Sequence, residues 1–263
     1  MIRHRLENGM HVRQIKVQDP EGTIVYIHGL GESGLCFEKL MADPQLRGWS
    51  HLAPDLPGYG KSPWPDKPLE LDRLADYLCQ WLESMSTDSV LLLGHSMGGV
   101  VGLMISEKCP ELLCGFVNVE GNVSPEDCTF SAKAACYSLQ ELLSNGLQKI
   151  YEMVYRDGLE DPALRTYYAS LRLCDPRAYH LNSKELVFLS RTEEIATRIA
   201  NLKVPCVYIL GNPRGTGNHS RYLLSEAGVR WRVVEDAGHW PFIDQQDSFI
   251  ADLMNFMREL PPS

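Results

Sequence analysis

Hydrophobic positions along the chain alternate between two rhythms. Short apolar, β-branched runs have the length and composition of buried strands: TIVYIH (23–28), SHLAPDL (50–56), SVLLLG (89–94), CGFVNVE (114–120), PCVYILG (205–211) and RWRVVED (230–236). Helical periods lie between them. In LDRLADYLCQWLESM (71–85), Leu71, Leu74, Ala75, Leu78, Trp81, Leu82 and Met85 recur at helical spacing. Further helices are expected over 36–43, over 97–109 before Pro110, near 218–228, and over 242–259. At the start, RHRLEN (3–8) and HVRQIKVQ (11–18) flank Asn8-Gly9, a strong hairpin turn pair. Strands alternating with helices predict the α/β class: a mostly parallel sheet with helices on both faces.

Between 123 and 202 the rhythm changes. No strand pattern remains, helix formers dominate, and Tyr137, Tyr151, Tyr155, Tyr167, Tyr168 and Tyr179 are spread through the segment. It is too long for a plain loop. The expected organisation is a core of residues 1–122 and 203–263, interrupted by a helical lid or cap over 123–202.

Composition narrows the function classes. The 263 residues are 44% hydrophobic and 22% charged, ordinary for a soluble globular protein. A formal charge of −9 argues against nucleic acid or an anionic membrane as the main partner. No run approaches the roughly 18 apolar residues of a membrane span, and GVVGLMI (99–105) is the nearest. The opening MIRHRLENGM has no apolar stretch of the kind a secretory signal carries. The eight cysteines (36, 79, 109, 114, 128, 136, 174, 206) are scattered without a C-x-x-C pair. They are expected to be buried, reduced thiols of a cytoplasmic protein rather than a disulfide framework or a zinc site.

Three segments carry candidate chemistry. GHSMG (94–98) follows a buried strand and opens a helix, the context a nucleophile elbow demands. The turn is sharp, so Gly94 and Gly98 must be small, and Ser96 is raised at the C-terminal edge of the sheet. HGLGESG (28–34) follows the strand 23–28, and its glycines let backbone N–H groups approach a ligand. The N–H groups of Leu30 and Met97 are expected to form an oxyanion hole. His28 and Ser33 in that loop are expected to stabilise structure, with substrate contact open for Ser33. In DAGHWPF (236–242), His239 sits in the turn after the last strand and is the candidate base that a serine hydroxyl requires. His4, His11 and His51 fall in strands, His95 inside the elbow, and His180 and His219 in the insertion or a helix. Trp240 or Pro241 is expected to wall the pocket or to seat the closing helix.

HGLGESG, DLPGYGKS (55–62), GHSMGG (94–99) and DAGHWPF together resemble the motifs of the α/β-hydrolase superfamily, and the order of elements matches outside the insertion. The resemblance implies a third partner, in chain order Ser, then Asp or Glu, then His, which holds the imidazole in the right tautomer. In most members it follows the strand after the lid. Here that loop reads NPRGTGN and holds no carboxylate. Glu120, ending the strand after the elbow helix, fills the gap, as in members such as the haloalkane dehalogenases that take their acid from this strand end. Their aspartate nucleophile is absent, so an alkyl-enzyme route does not carry over. Asp236 is a competitor, Glu126 and Asp127 weaker ones, and a solvated strand end is the plain alternative for Glu120.

The resemblance implies a serine hydrolase of small carboxylic esters or thioesters, with Ser96, Glu120 and His239 as triad and Leu30 and Met97 as oxyanion donors. No metal or organic cofactor is implied. The alternatives are a carbon–carbon bond hydrolase or lyase using the same residues, and a non-catalytic small-molecule receptor.

Overall fold

A computed structural model describes residues 1–85 and 89–260. Its strands are β1 Arg3–Glu7, β2 Met10–Ile15, β3 Thr23–Ile27, β4 Ser50–Pro54, β5 Val90–His95, β6 Leu113–Val119, β7 Cys206–Arg214 and β8 Trp231–Gly238. They form one eight-stranded sheet in the order β1-β2-β4-β3-β5-β6-β7-β8. The N-terminal hairpin is antiparallel and joins β4 antiparallel, while every pairing from β4 to β8 is parallel. Every residue of β3 and β5 is buried, which is why those strands read as continuous apolar runs.

Helix α1, Leu71–Glu83, buries the predicted face Leu71, Leu74, Ala75, Leu78, Trp81 and Leu82. Helix α2, Met97–Lys108, buries every residue from Met97 to Ser106, so it lies inside the protein rather than on it. Among the described residues, the stretch between β6 and β7 holds helices and no strand: α3 Ser131–Ala135, α4 Leu147–Asp157, α5 Pro162–Leu171, α6 Pro176–Thr192 and α7 Ile195–Ala200. Asp161 and Asp175 start α5 and α6 by accepting backbone N–H groups, each with proline at the first helical position. The remaining long helices are α8, Asn218–Glu226, and α9, Gln246–Met257.

Several expectations needed adjustment. The helix expected over 36–43 is a 3-10 turn, Gly34–Phe37, running into one helical turn, Glu38–Met41. The closing helix is broken at Gln245, whose φ of −138° leaves the helical region. Strand β7 runs past the predicted end at 211 to Arg214, because Asn212 to Arg214 pair with the end of β8. In that pairing Asn212 faces Glu235 and Pro213 faces Ala237, so Asp236 is the unpaired residue of a bulge, with φ +57°.

The cysteines depart furthest from expectation. Cys79 on α1 and Cys109 at the C-terminus of α2 form a disulfide, their Cα atoms 6.4 Å apart. Helix packing brings them together across 30 residues of chain, a proximity that no local spacing reveals. Disulfides persist in oxidising surroundings, so the cysteines no longer argue for a reducing compartment. Of the six unpaired thiols, Cys36, Cys128 and Cys174 are buried and Cys136 is exposed. No described helix is long and apolar enough to cross a membrane. Thiol titration of the denatured, unreduced protein is expected to find six of the eight cysteines free; eight would show that the bridge does not form.

Candidate active site

The elbow is built from sterics. A Cβ on Gly94 would collide with the Gly98 carbonyl, and one on Gly98 with the Ile27 carbonyl, so both positions admit glycine alone. Ser96 between them has φ +54° and ψ −119°, outside the regions an ordinary residue adopts. Its N–H donates to the Val119 carbonyl at 2.9 Å, and its own carbonyl accepts from Gly99 N–H at 2.8 Å. The backbone thus fastens the serine to the neighbouring strand on one side and to α2 on the other.

Parallel register brings the other candidates to the same edge. His95 pairs with Val119, and Val119 with Ile209, so Ser96, Glu120 and the end of β7 leave the sheet side by side. Glu120 has φ +54°, is 2% exposed, and sends its carboxylate across β7. Oε1 accepts from Gly211 N–H at 2.6 Å and from Thr216 N–H at 3.1 Å. Oε2 lies 3.3 Å from His239 Nδ1. The loop without an acid, 212–218, therefore surrounds an acid supplied by β6. Asp236 is exposed on its bulge. Glu126 and Asp127 are engaged elsewhere, accepting from His219 N–H and from Val123, Ser124 and Gly217 N–H groups.

Ser96 and His239 line one cavity together with Leu30. No hydrogen bond joins the two side chains. Met97 is the first residue of α2, where backbone N–H groups have no partner within the helix. Phe130, Tyr167 and Leu186 from the helical segment and Trp240 from the His239 loop complete the apolar wall. Phe130 and Tyr167 rings lie 4.9 Å apart, and Tyr167 and Trp240 rings 5.7 Å apart. Trp240 is thus a pocket wall as anticipated, while Pro241 opens a short helix behind it. His28 is structural: its Nδ1 faces the Gly29 carbonyl and its Nε2 takes the Leu56 N–H. Ser33 caps the turn at 34–37 and bonds Ser170, so it does not face the cavity. Among the described residues, no group of three His, Cys, Asp or Glu is placed to hold a metal.

Beside these residues lies a second carboxylate–histidine pair that the motifs did not single out. Glu32, inside HGLGESG, is 2% exposed and accepts from Gly29 N–H at 2.6 Å and from the Trp240 indole at 2.5 Å. His95 Nδ1 is 2.8 Å from Glu32 Oε2, and its Nε2 is 2.7 Å from the His239 carbonyl. Both partners of the ring are acceptors, so the protonated ring, with hydrogen on both nitrogens, satisfies both. Burial alone would raise the Glu32 carboxyl, but the His95 charge and the three hydrogen bonds outweigh it and hold the group at about 2. Burial likewise disfavours charge on His95, and Glu32 with the His239 carbonyl outweighs it, leaving that ring raised. A glutamate in an apolar, glycine-rich loop was the one signal available in the sequence.

This pair ties the loop at 28–34, the elbow and the His239 loop together. Breaking it with Glu32→Gln is expected to cost about 3 kcal/mol. Glu32 contributes above its ordinary 4.5, and that contribution is lost as pH falls towards about 2. His95 contributes fully below its ordinary 6.5 and loses that contribution as pH rises through its raised folded value. The gap in melting temperature between wild type and Glu32→Gln should therefore be widest between these two ordinary values, 4.5 and 6.5, and narrow on either side. A pH-independent gap would contradict the ion pair.

Comparison with known proteins agrees with this architecture. Residues 24–253 match the model of the alpha/beta hydrolase family. A 2-succinyl-6-hydroxy-2,4-cyclohexadiene-1-carboxylate synthase of Salmonella typhimurium is 32% identical over 95% of this chain and 99% of its own. Lipase LipV of Mycobacterium tuberculosis is 28% identical over 44% of this chain and 42% of the lipase. The match spans less than half the length of the first curated relatives. The solved N-acyl homoserine lactonase AidH superposes with a TM-score of 0.78 over 100% of this chain and 98% of that chain; at 20% identity this is a likeness of fold. The matched residues take in the elbow, the Glu120 strand end and the His239 loop, and the chain belongs to the alpha/beta hydrolase family.

Proposed function

We propose that the protein is a serine hydrolase that cleaves small carboxylic esters or thioesters through an acyl-enzyme. One observation carries the proposal: a buried carboxylate, Glu120, stands 3.3 Å from Nδ1 of the histidine that shares a cavity with the elbow serine. An imidazole whose Nδ1–H is held by a carboxylate presents Nε2 as a base. His239 takes the Ser96 proton as Oγ attacks the substrate carbonyl. Negative charge develops on the carbonyl oxygen and is stabilised by the N–H groups of Leu30 and Met97. The intermediate collapses, His239 returns the proton to the departing alcohol or thiol, and water repeats the sequence on the acyl-Ser96 bond.

In this proposal residues 1–122 and 203–263 form the catalytic core and 123–202 the lid. Phe130, Tyr167 and Leu186 would exclude water above Ser96, and the space left between these walls is small, about 20 Å³, which favours a short acyl chain. The relative named a synthase favours a second reading, a carbon–carbon bond hydrolase or lyase using the same residues. Turnover of simple esters separates the two.

Wild type is expected to be labelled by a fluorophosphonate and to hydrolyse a short-chain p-nitrophenyl ester, while Ser96→Ala does neither. Equal labelling of Ser96→Ala would remove the nucleophile assignment. Glu120→Gln should lower kcat by about a thousandfold or more, and Asp236→Asn by less than about threefold, as expected of an exposed residue away from the site. The opposite ranking would move the acid to Asp236.

A further inference from the structure

Two residues of the cavity wall each carry a buried polar atom without a partner. Asn122 and Ser131 both line the cavity alongside Ser96 and His239, and each residue is 3% exposed. Asn122 Oδ1 and Ser131 Oγ are buried without a hydrogen bond. Two buried carboxylates of the same wall are satisfied: Asp127 accepts from Val123, Ser124 and Gly217 N–H groups and from the Ser220 hydroxyl, and Glu32 from three donors. Among the described residues, the other unpartnered buried side-chain atoms belong to residues that do not line this cavity. Buried polar groups as a rule find partners, and one left without is costly.

The orientation of the Asn122 amide is fixed. Its Nδ2 donates to the Asp127 carbonyl at 3.0 Å, and a flipped amide would set oxygen against oxygen. Oδ1 is therefore an acceptor that none of the described residues answers. The Ser131 hydroxyl can donate or accept. Around both stand Leu30, Phe130, Tyr167, Leu186 and Trp240, none of which supplies them with a hydrogen bond.

We propose that Asn122 and Ser131 form a hydrogen-bonding subsite that selects esters carrying their own hydroxyl donor close to the scissile bond. The proposal rests on the serine-hydrolase reading and deepens it. A hydroxyl answers both atoms, donating to Asn122 Oδ1 and accepting from Ser131 O–H, whereas an amide N–H answers only the first. A plain alkyl chain answers neither and would leave both stranded in the closed complex. Sites that hydrogen-bond a substrate hydroxyl discriminate strongly against the analogue lacking it.

The test compares two substrate pairs. p-Nitrophenyl 3-hydroxybutyrate against p-nitrophenyl butyrate probes the acyl side, and 2-hydroxyethyl butyrate against ethyl butyrate probes the alcohol side. Wild type is expected to favour the hydroxylated member of one pair by at least about fivefold in kcat/KM. In Ser131→Ala, which removes a hydroxyl that no described residue engages, and in Asn122→Leu, the preference should fall towards unity. Ratios at or below unity in both pairs, or a preference unchanged in both variants, would overturn the subsite while leaving the hydrolase intact. No turnover of any of the four esters would overturn the serine-hydrolase reading and the subsite with it.

Discussion

A buried carboxyl group has to be ringed by hydrogen-bond donors, and Glu120 finds its donors on a strand other than its own. Oε1 is held by Gly211 and Thr216 N–H groups from β7 and the loop after it, which leaves Oε2 for His239. A Cβ on Gly215 would strike Oε1, so the loop is shaped to admit the side chain. Only parallel register makes this reach possible. The ends of β5, β6 and β7 leave the sheet side by side, and the elbow serine, the acid and its donors follow from that alignment.

Beside the Glu120–His239 pair, the Glu32–His95 ion pair braces the surrounding loops. Its imidazolium donates to the His239 carbonyl, and its carboxylate receives the Trp240 indole and the Gly29 N–H. Two carboxylate–histidine pairs thus share one loop. The Glu120 pair sets the tautomer of His239, and the Glu32 pair sets where the loop lies. The protein carries the desolvation of the Glu32 pair because both ions are fully hydrogen-bonded, the condition under which a buried pair can persist.

Much of this was legible in the chain, and the exceptions have physical causes. Buried strands and the α1 face announce themselves through periodicity, because burial on a regular element leaves a regular trace. The elbow could be found because steric demands at Gly94 and Gly98 act within five residues of chain. Glu120 could be inferred, with help from a family resemblance, because NPRGTGN lacks an acid. Glu32 and His95 leave no local trace of their partnership, because it spans 63 residues of chain. The Cys79–Cys109 bridge and the bulge that exposes Asp236 depend on packing and pairing across the fold. Asn122 and Ser131 are ordinary polar residues in the sequence and become conspicuous only once burial leaves them without partners.

The central claim, that Ser96 carries the acyl group during turnover, is tested most directly by trapping that group. The protein is mixed with excess p-nitrophenyl butyrate, quenched in acid within the first turnovers, digested, and its peptides weighed. One butyryl group is expected on the peptide containing Ser96, and none in Ser96→Ala. Release of p-nitrophenol with the acyl group on another peptide, such as that of the exposed Cys136, would contradict it.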